Sequence, residues 1–135
     1  MNNQALIEMN AIVANFLSHD QYHQWISNLG KTFNPAVGIR ERDNFVRGCE
    51  NNLWLTVEPF ENSIRLCADS DSMVTLGIVH ILQKALDDTS PTEARKLALY
   101  DIHKLIAPLS SVRKKGTQHI INYIHAALDK DAERV

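Results

Sequence analysis

The chain has 135 residues, of which 44% are hydrophobic and 22% charged, with 14 basic against 16 acidic side chains. That length suffices for one domain with its own core, without metal or disulfide staples. The small negative charge gives no global field for nucleic acid or an anionic membrane, and no apolar run reaches membrane-spanning length.

Met1-Asn2-Asn3-Gln4 lacks the basic and apolar stretches of a signal peptide. Two cysteines in such a chain predict reduced thiols in the cytosol. Residues 4–17 carry Leu6, Met9, Val13, Phe16 and Leu17 at helical spacing. A second helix is expected over Gln21 to Leu29, burying Tyr22, Trp25, Ile26 and Leu29, with Gly30 as its stop. From Lys31 to Gly48 the pattern breaks at Pro35, Gly38 and the charged run Arg40-Glu41-Arg42-Asp43, which reads as a long surface connection. A further strand around Asn44-Phe45-Val46 is the weakest of the expected elements.

Leu53 to Glu58 alternates, with Leu53, Leu55 and Val57 on one side and Trp54 and Thr56 on the other. Pro59-Phe60-Glu61-Asn62 reads as a hairpin loop, after which Ile64, Leu66 and Ala68 resume the alternation. Asp69-Ser70-Asp71-Ser72 offers N-caps, Asp71 foremost, for an apolar central helix over Met73 to Leu86. Ser90-Pro91-Thr92-Glu93 has capping-box spacing and should open a short helix into Leu99. Ile102 to Ile106 adds a turn or two, and a last helix covers about Ser111 to Asp129. The expected class is α+β, a small antiparallel β-sheet with helices packed against one face.

The most informative stretch is Gly48-Cys49-Glu50-Asn51-Asn52-Leu53-Trp54-Leu55. It places a thiol at the mouth of a strand, beside a glycine that permits unusual backbone angles and close approach of another molecule. Thiolates, not thiols, attack sulfur, and Arg47, Arg40 and Arg42 in the same connection are candidates to favour the anion. The competing reading is a free cysteine acting as a small hydrophobe. Cys67, inside the second strand, is the less accessible thiol.

Arg113 falls in the first turn of its helix, where the dipole disfavours a cation. A local rule broken without compensation marks a candidate site, so Arg113 is expected to approach the Cys49 loop or a partner. Asp71 is a cap that also stands to tune access to that loop, and Trp54 is expected to shelter Cys49. His19 and His23 have i, i+4 spacing but no third ligand nearby, so no metal site is expected. His119 and His125 suggest still less. Arg113-Lys114-Lys115 is too short for a nucleic-acid claim.

Gly48-Cys49-Glu50-Asn51, then Leu53-Trp54-Leu55, Asp69-Ser70-Asp71 after a hairpin, Gly77 in an apolar helix, and Ser111-Val112-Arg113-Lys114-Lys115-Gly116 together resemble the SufE/CsdE family. The Gly-Cys-Glu-Asn form looks closer to the CsdE branch. The resemblance runs in order from about Tyr22 to Leu128. It implies a SufE-like fold and a persulfide carrier without cofactor or metal of its own. Such a carrier takes sulfur from a pyridoxal-phosphate cysteine desulfurase, stimulates that enzyme, and relays the sulfur to an iron–sulfur scaffold or a tRNA-modifying enzyme. The acceptor role falls on Cys49, with Gly48, Arg113, Asp71 and Arg47 as partner-binding or thiolate-supporting residues. Leu76 stands where many members carry a basic residue before the helix glycine, and Lys114-Lys115 replace small and amide residues.

Two rivals stay open. One is a thiol peroxidase or cysteine hydrolase pairing Cys49 with a histidine. The other is an adaptor that regulates a desulfurase by binding alone. The sequence determines neither the final sulfur recipient nor whether the chain forms a homodimer.

Overall fold

A computed structural model describes residues 1–33 and 36–133. Pro35, one of the expected breaks, lies outside the described residues. Chain order is α1 (Asn3–Ala14), α2 (His19–Thr32), a 3-10 turn (Arg42–Asn44), β1 (Leu53–Phe60), β2 (Ser63–Ser70), α3 (Met73–Leu86), α4 (Pro91–Ala94), α5 (Leu99–Ile106) and α6 (Ser111–Glu133). The fold is α+β, with helices against the core face of a two-stranded antiparallel sheet.

Side-chain oxygens take up the orphan N–H groups at the helix starts. Asn2 accepts from Ala5 N, Ser18 from Gln21 N, Ser72 from Thr75 N and Ser90 from Glu93 N. The cap of α3 is therefore Ser72 and not Asp71. The Asp71 carboxylate is occupied elsewhere, by Asn52 Nδ2 at 2.8 Å and Arg40 at 3.1 Å. Helix α1 ends at Ala14, so Phe16 packs on the core from outside it and Leu17 stands in solvent.

Gly30 does not stop α2, which continues to Thr32. It is buried at a helix crossing, where an added Cβ would overlap the Met73 carbonyl oxygen. Across the crossing, a Cβ on Gly77 of α3 would overlap the Ile26 carbonyl oxygen. Two facing glycines thus bring the backbones of α2 and α3 close enough for Ile26 to be fully buried. Tyr22, also buried on α2, donates its hydroxyl to Leu105 O at 2.6 Å.

Strands β1 and β2 pair Leu53 with Ser70, Leu55 with Ala68, Val57 with Leu66 and Pro59 with Ile64; this face is buried at Leu53, Leu55, Ile64, Leu66, Ala68 and Ser70, half-buried at Val57 and exposed at Pro59. Trp54, Thr56, Cys67 and Arg65 occupy the other face, as the alternation requires. The turn is Glu61-Asn62, shorter than expected, because both strands run further than their apolar pattern. Gln83 of α3 reaches β2, accepting from Leu66 N at 2.7 Å and donating to Ile64 O at 2.9 Å. That amide covers backbone groups that a sheet edge would leave unpaired.

Helix α4 stops at Ala94 rather than running to Leu99. A series of i→i+3 turns follows, burying Leu97 before α5 begins. The expected strand near Asn44-Phe45-Val46 reduces to one antiparallel bridge, Phe45 with Trp54, and the bond Val46 N to Leu53 O at 2.9 Å.

Candidate functional site

That bridge sets the geometry around Cys49. With Phe45-Val46 pinned to Leu53-Trp54, residues 47–52 become a short loop closed at its base. Its turn is Arg47-Gly48, and Gly48 has φ +93°, a conformation L side chains rarely adopt. The loop lies across α6. A Cβ on Gly116 would sit 3.7 Å from Cys49 Cα and 3.9 Å from Cys49 Sγ. One helical step on, the His119 ring packs against Gly48, where an added Cβ would lie 2.6 Å from Cγ and Cδ2 and 2.8 Å from Nδ1.

Cys49 is half-buried and packs on the core, its thiol donating to Gly116 O at 3.7 Å. It lines a narrow cleft with Glu50, Asn51, Thr75, Ile78, Arg113, Gly116, Thr117 and Ile120. The free space is about 10 Å³, roughly one water-sized sphere. Asn51 Oδ1 is buried with no hydrogen-bond partner among the described residues. Burial pushes the Cys49 thiol up to about 11. The expectation that nearby arginines favour the thiolate is corrected for this closed arrangement: desolvation dominates and the sulfur stays protonated.

Arg113 and Cys49 line the same cleft, with Gly48 adjoining it. The Arg113 side chain is half-exposed and has no carboxylate partner among the described residues. Arg47 is exposed on the turn and does not line the cleft. Asp71 sits one step away, tied to the loop through Asn52. Arg40 is not free to support Cys49. It pairs with Asp69 at 2.7 Å and Asp71 at 3.1 Å and stacks over Trp54, 4.5 Å from the ring centre. That pairing raises Arg40 and lowers the Asp69 carboxyl. Trp54 meets Phe45 edge-to-face, carries the Arg40 guanidinium over its ring and is not among the residues lining the Cys49 cleft, so it does not shelter the thiol there.

Sequence reasoning weighed His119 only as a metal ligand and set it aside, and it gave Thr75 and Ile78 no part in the site. The one sequence signal for His119 was its i+3 spacing from Gly116, which puts both on neighbouring positions of one helix face. His19 and His23 stack on each other, and His19 Nε2 lies 3.2 Å from Pro108 O. No group of three metal-ligating side chains occurs among the described residues. Cys49 and Cys67 are both free thiols.

Fold and site define an α+β protein that holds one loop thiol against a long C-terminal helix. The chain belongs to the SufE family: residues 8–128 match the family described as "SufE: Fe-S metabolism associated domain". That description ties the family to Fe–S metabolism. It is 37% identical over 67 residues to a chloroplastic quinolinate synthase of Arabidopsis thaliana, covering 49% of this chain and 9% of that protein. It is 33% identical over 94 residues to a chloroplastic quinolinate synthase of Nicotiana tabacum, covering 68% of this chain and 13% of that protein. The chain thus spans about a tenth of the length of these relatives. The solution structure of a hypothetical protein from Thermus thermophilus superposes with a TM-score of 0.75 at 15% identity, covering 98% of this chain and 96% of that one. That likeness speaks to the fold.

Proposed function

We propose that residues 1–135 form one SufE-like domain that accepts sulfane sulfur on Cys49 from the persulfide of a pyridoxal-phosphate cysteine desulfurase. It stimulates that enzyme and passes the sulfur on, to an iron–sulfur scaffold or a tRNA-modifying enzyme, in the cytosol. The observation that carries this reading is the placement of Cys49, in a loop shaped by Gly48 and backed by a one-atom cleft shared with Arg113. The Gly48-Cys49-Glu50-Asn51 form supports the CsdE branch.

The chemistry is thiol exchange. Cys49 thiolate attacks the outer sulfur of the donor persulfide, the donor S–S bond breaks, and the donor cysteine leaves as thiolate. The closed loop protects the sulfur between transfers, and docking draws it out. Arg113, free of carboxylate partners among the described residues, meets the anion or the donor surface.

The test is desulfurase turnover on cysteine with and without this protein. Stimulation lost in Cys49→Ser and weakened in Arg113→Ala supports the relay. Full stimulation by Cys49→Ser identifies an adaptor instead, and Arg113→Ala with unchanged sulfur uptake and unchanged binding removes Arg113 from the site.

A further inference from the structure

His119 is the imidazole that the fold sets directly against the Cys49 loop. Its ring lies flat on the Gly48 α-carbon, while Cys49 itself lies against Gly116, three residues earlier on α6. Residues three apart on a helix are surface neighbours, about 5–6 Å between Cβ positions. The Gly48-Cys49 peptide therefore runs along the Gly116–His119 face. The His119 side chain is exposed and makes no hydrogen bond among the described residues, so its ring is not committed to another partner.

In the closed loop the thiol points to Gly116 O and does not hydrogen-bond His119. A sulfur leaving that carbonyl emerges beside the imidazole, one residue from the Gly48 contact. We infer that His119 is the proton acceptor for Cys49 as the loop opens. This rests on Cys49 being the sulfur acceptor.

The step balances. The imidazole takes the Cys49 S–H proton, and the thiolate forms a bond to the outer sulfur of the donor persulfide. The donor S–S bond breaks with its electron pair on the donor cysteine, and the imidazolium returns the proton to that thiolate. Persulfide and thiol exchange places, with no oxidant or reductant.

Other ionisable groups around the site are Arg47 and Glu50 on the loop, Arg113 at the cleft, and Lys115 and Tyr123 one turn either side of His119. From the 3-10 turn, Asp43 reaches the same helix, its backbone carbonyl accepting from Tyr123 Oη at 3.4 Å. Arg47, Arg113 and Lys115 are the basic side chains among them. The His119 variants leave all of these groups in place, so a step lost in them belongs to the imidazole.

The experiment is the rate of Cys49 alkylation by iodoacetamide against pH, in a Cys67→Ser background so that one thiol reports. His119→Phe keeps a ring on Gly48 and removes the base; His119→Gln is the second variant. The expected result is a pH step in the wild-type profile that both variants lack. Near neutral pH the variants react about tenfold slower or more. An unchanged rate and profile in His119→Phe overturns the assignment and leaves the ring as packing. A faster rate also overturns it, making the ring a latch. Alkylation needs no donor protein, so its failure leaves the sulfur-acceptor reading standing. Failure of sulfur loading from a desulfurase, with the pH step intact, removes the acceptor reading instead.

Discussion

Replacing Gly48 with alanine should open the Cys49 loop. Gly48 holds φ +93°, and an added Cβ would lie 2.6–2.8 Å from three atoms of the His119 ring. An L side chain at positive φ costs about 1–2 kcal/mol. The exposed ring can turn aside, at about 1 kcal/mol if it leaves its rotamer. The closed loop therefore loses about 2–3 kcal/mol, and opening residues 47–52 relieves it while the Phe45–Trp54 bridge stays in place. About 2 kcal/mol corresponds to an opening equilibrium shifted by about 30-fold. Alkylation of Cys49 at about pH 9, where an opened thiol ionises unaided, should accelerate by that factor, with a smaller fall in the urea midpoint. Alkylation and urea midpoint both equal to wild type would refute the argument that this glycine shapes the closed state.

Closure should also depend on pH. The Cys49 pKa is raised to about 11 when the loop is shut, so the neutral thiol's contribution is present below its ordinary value and fades as pH climbs through about 11. Urea unfolding followed from about pH 8 to about pH 11 should show an alkaline loss that Cys49→Ser lacks. Gly77→Ala should cost about 3 kcal/mol in urea unfolding, because its methyl meets the Ile26 backbone; a stability equal to wild type contradicts the close crossing. Tyr22→Phe should cost about 1–3 kcal/mol by leaving the buried Leu105 carbonyl unpaired, read as a lowered thermal midpoint. Arg40→Ala should shift Trp54 fluorescence, since the guanidinium stacks on that indole, with little change in melting.

Local rules carried much of the fold. The alternation in Leu53–Glu58 and Ile64–Ala68, and the apolar run Met73–Leu86, were legible because period and burial coincide there. The failures were tertiary. Gly30 reads as a helix stop in one dimension, yet it lies within α2 and is a glycine because the backbone of α3, from the Met73 carbonyl to Gly77 N, occupies the space a side chain would need. Asp71 reads as a cap, but Asn52 and Arg40 claim its carboxylate. In the site, Cys49 and Gly48 stood out through their neighbours in sequence, and Arg113 through a helix-dipole conflict. Arg40 looked equally suited to the thiol until Asp69 and Trp54 took it. The partnership of His119 with Gly48 had no local signature, because it depends on how α6 crosses the loop.

The central claim is that Cys49 carries sulfur, and intact and peptide mass spectrometry tests it most directly. The protein is incubated with a cysteine desulfurase and cysteine, then mapped for sulfur adducts. The account predicts an added sulfur atom on Cys49, absent in Cys49→Ser and independent of Cys67. An unmodified Cys49, with the desulfurase active and bound, contradicts it.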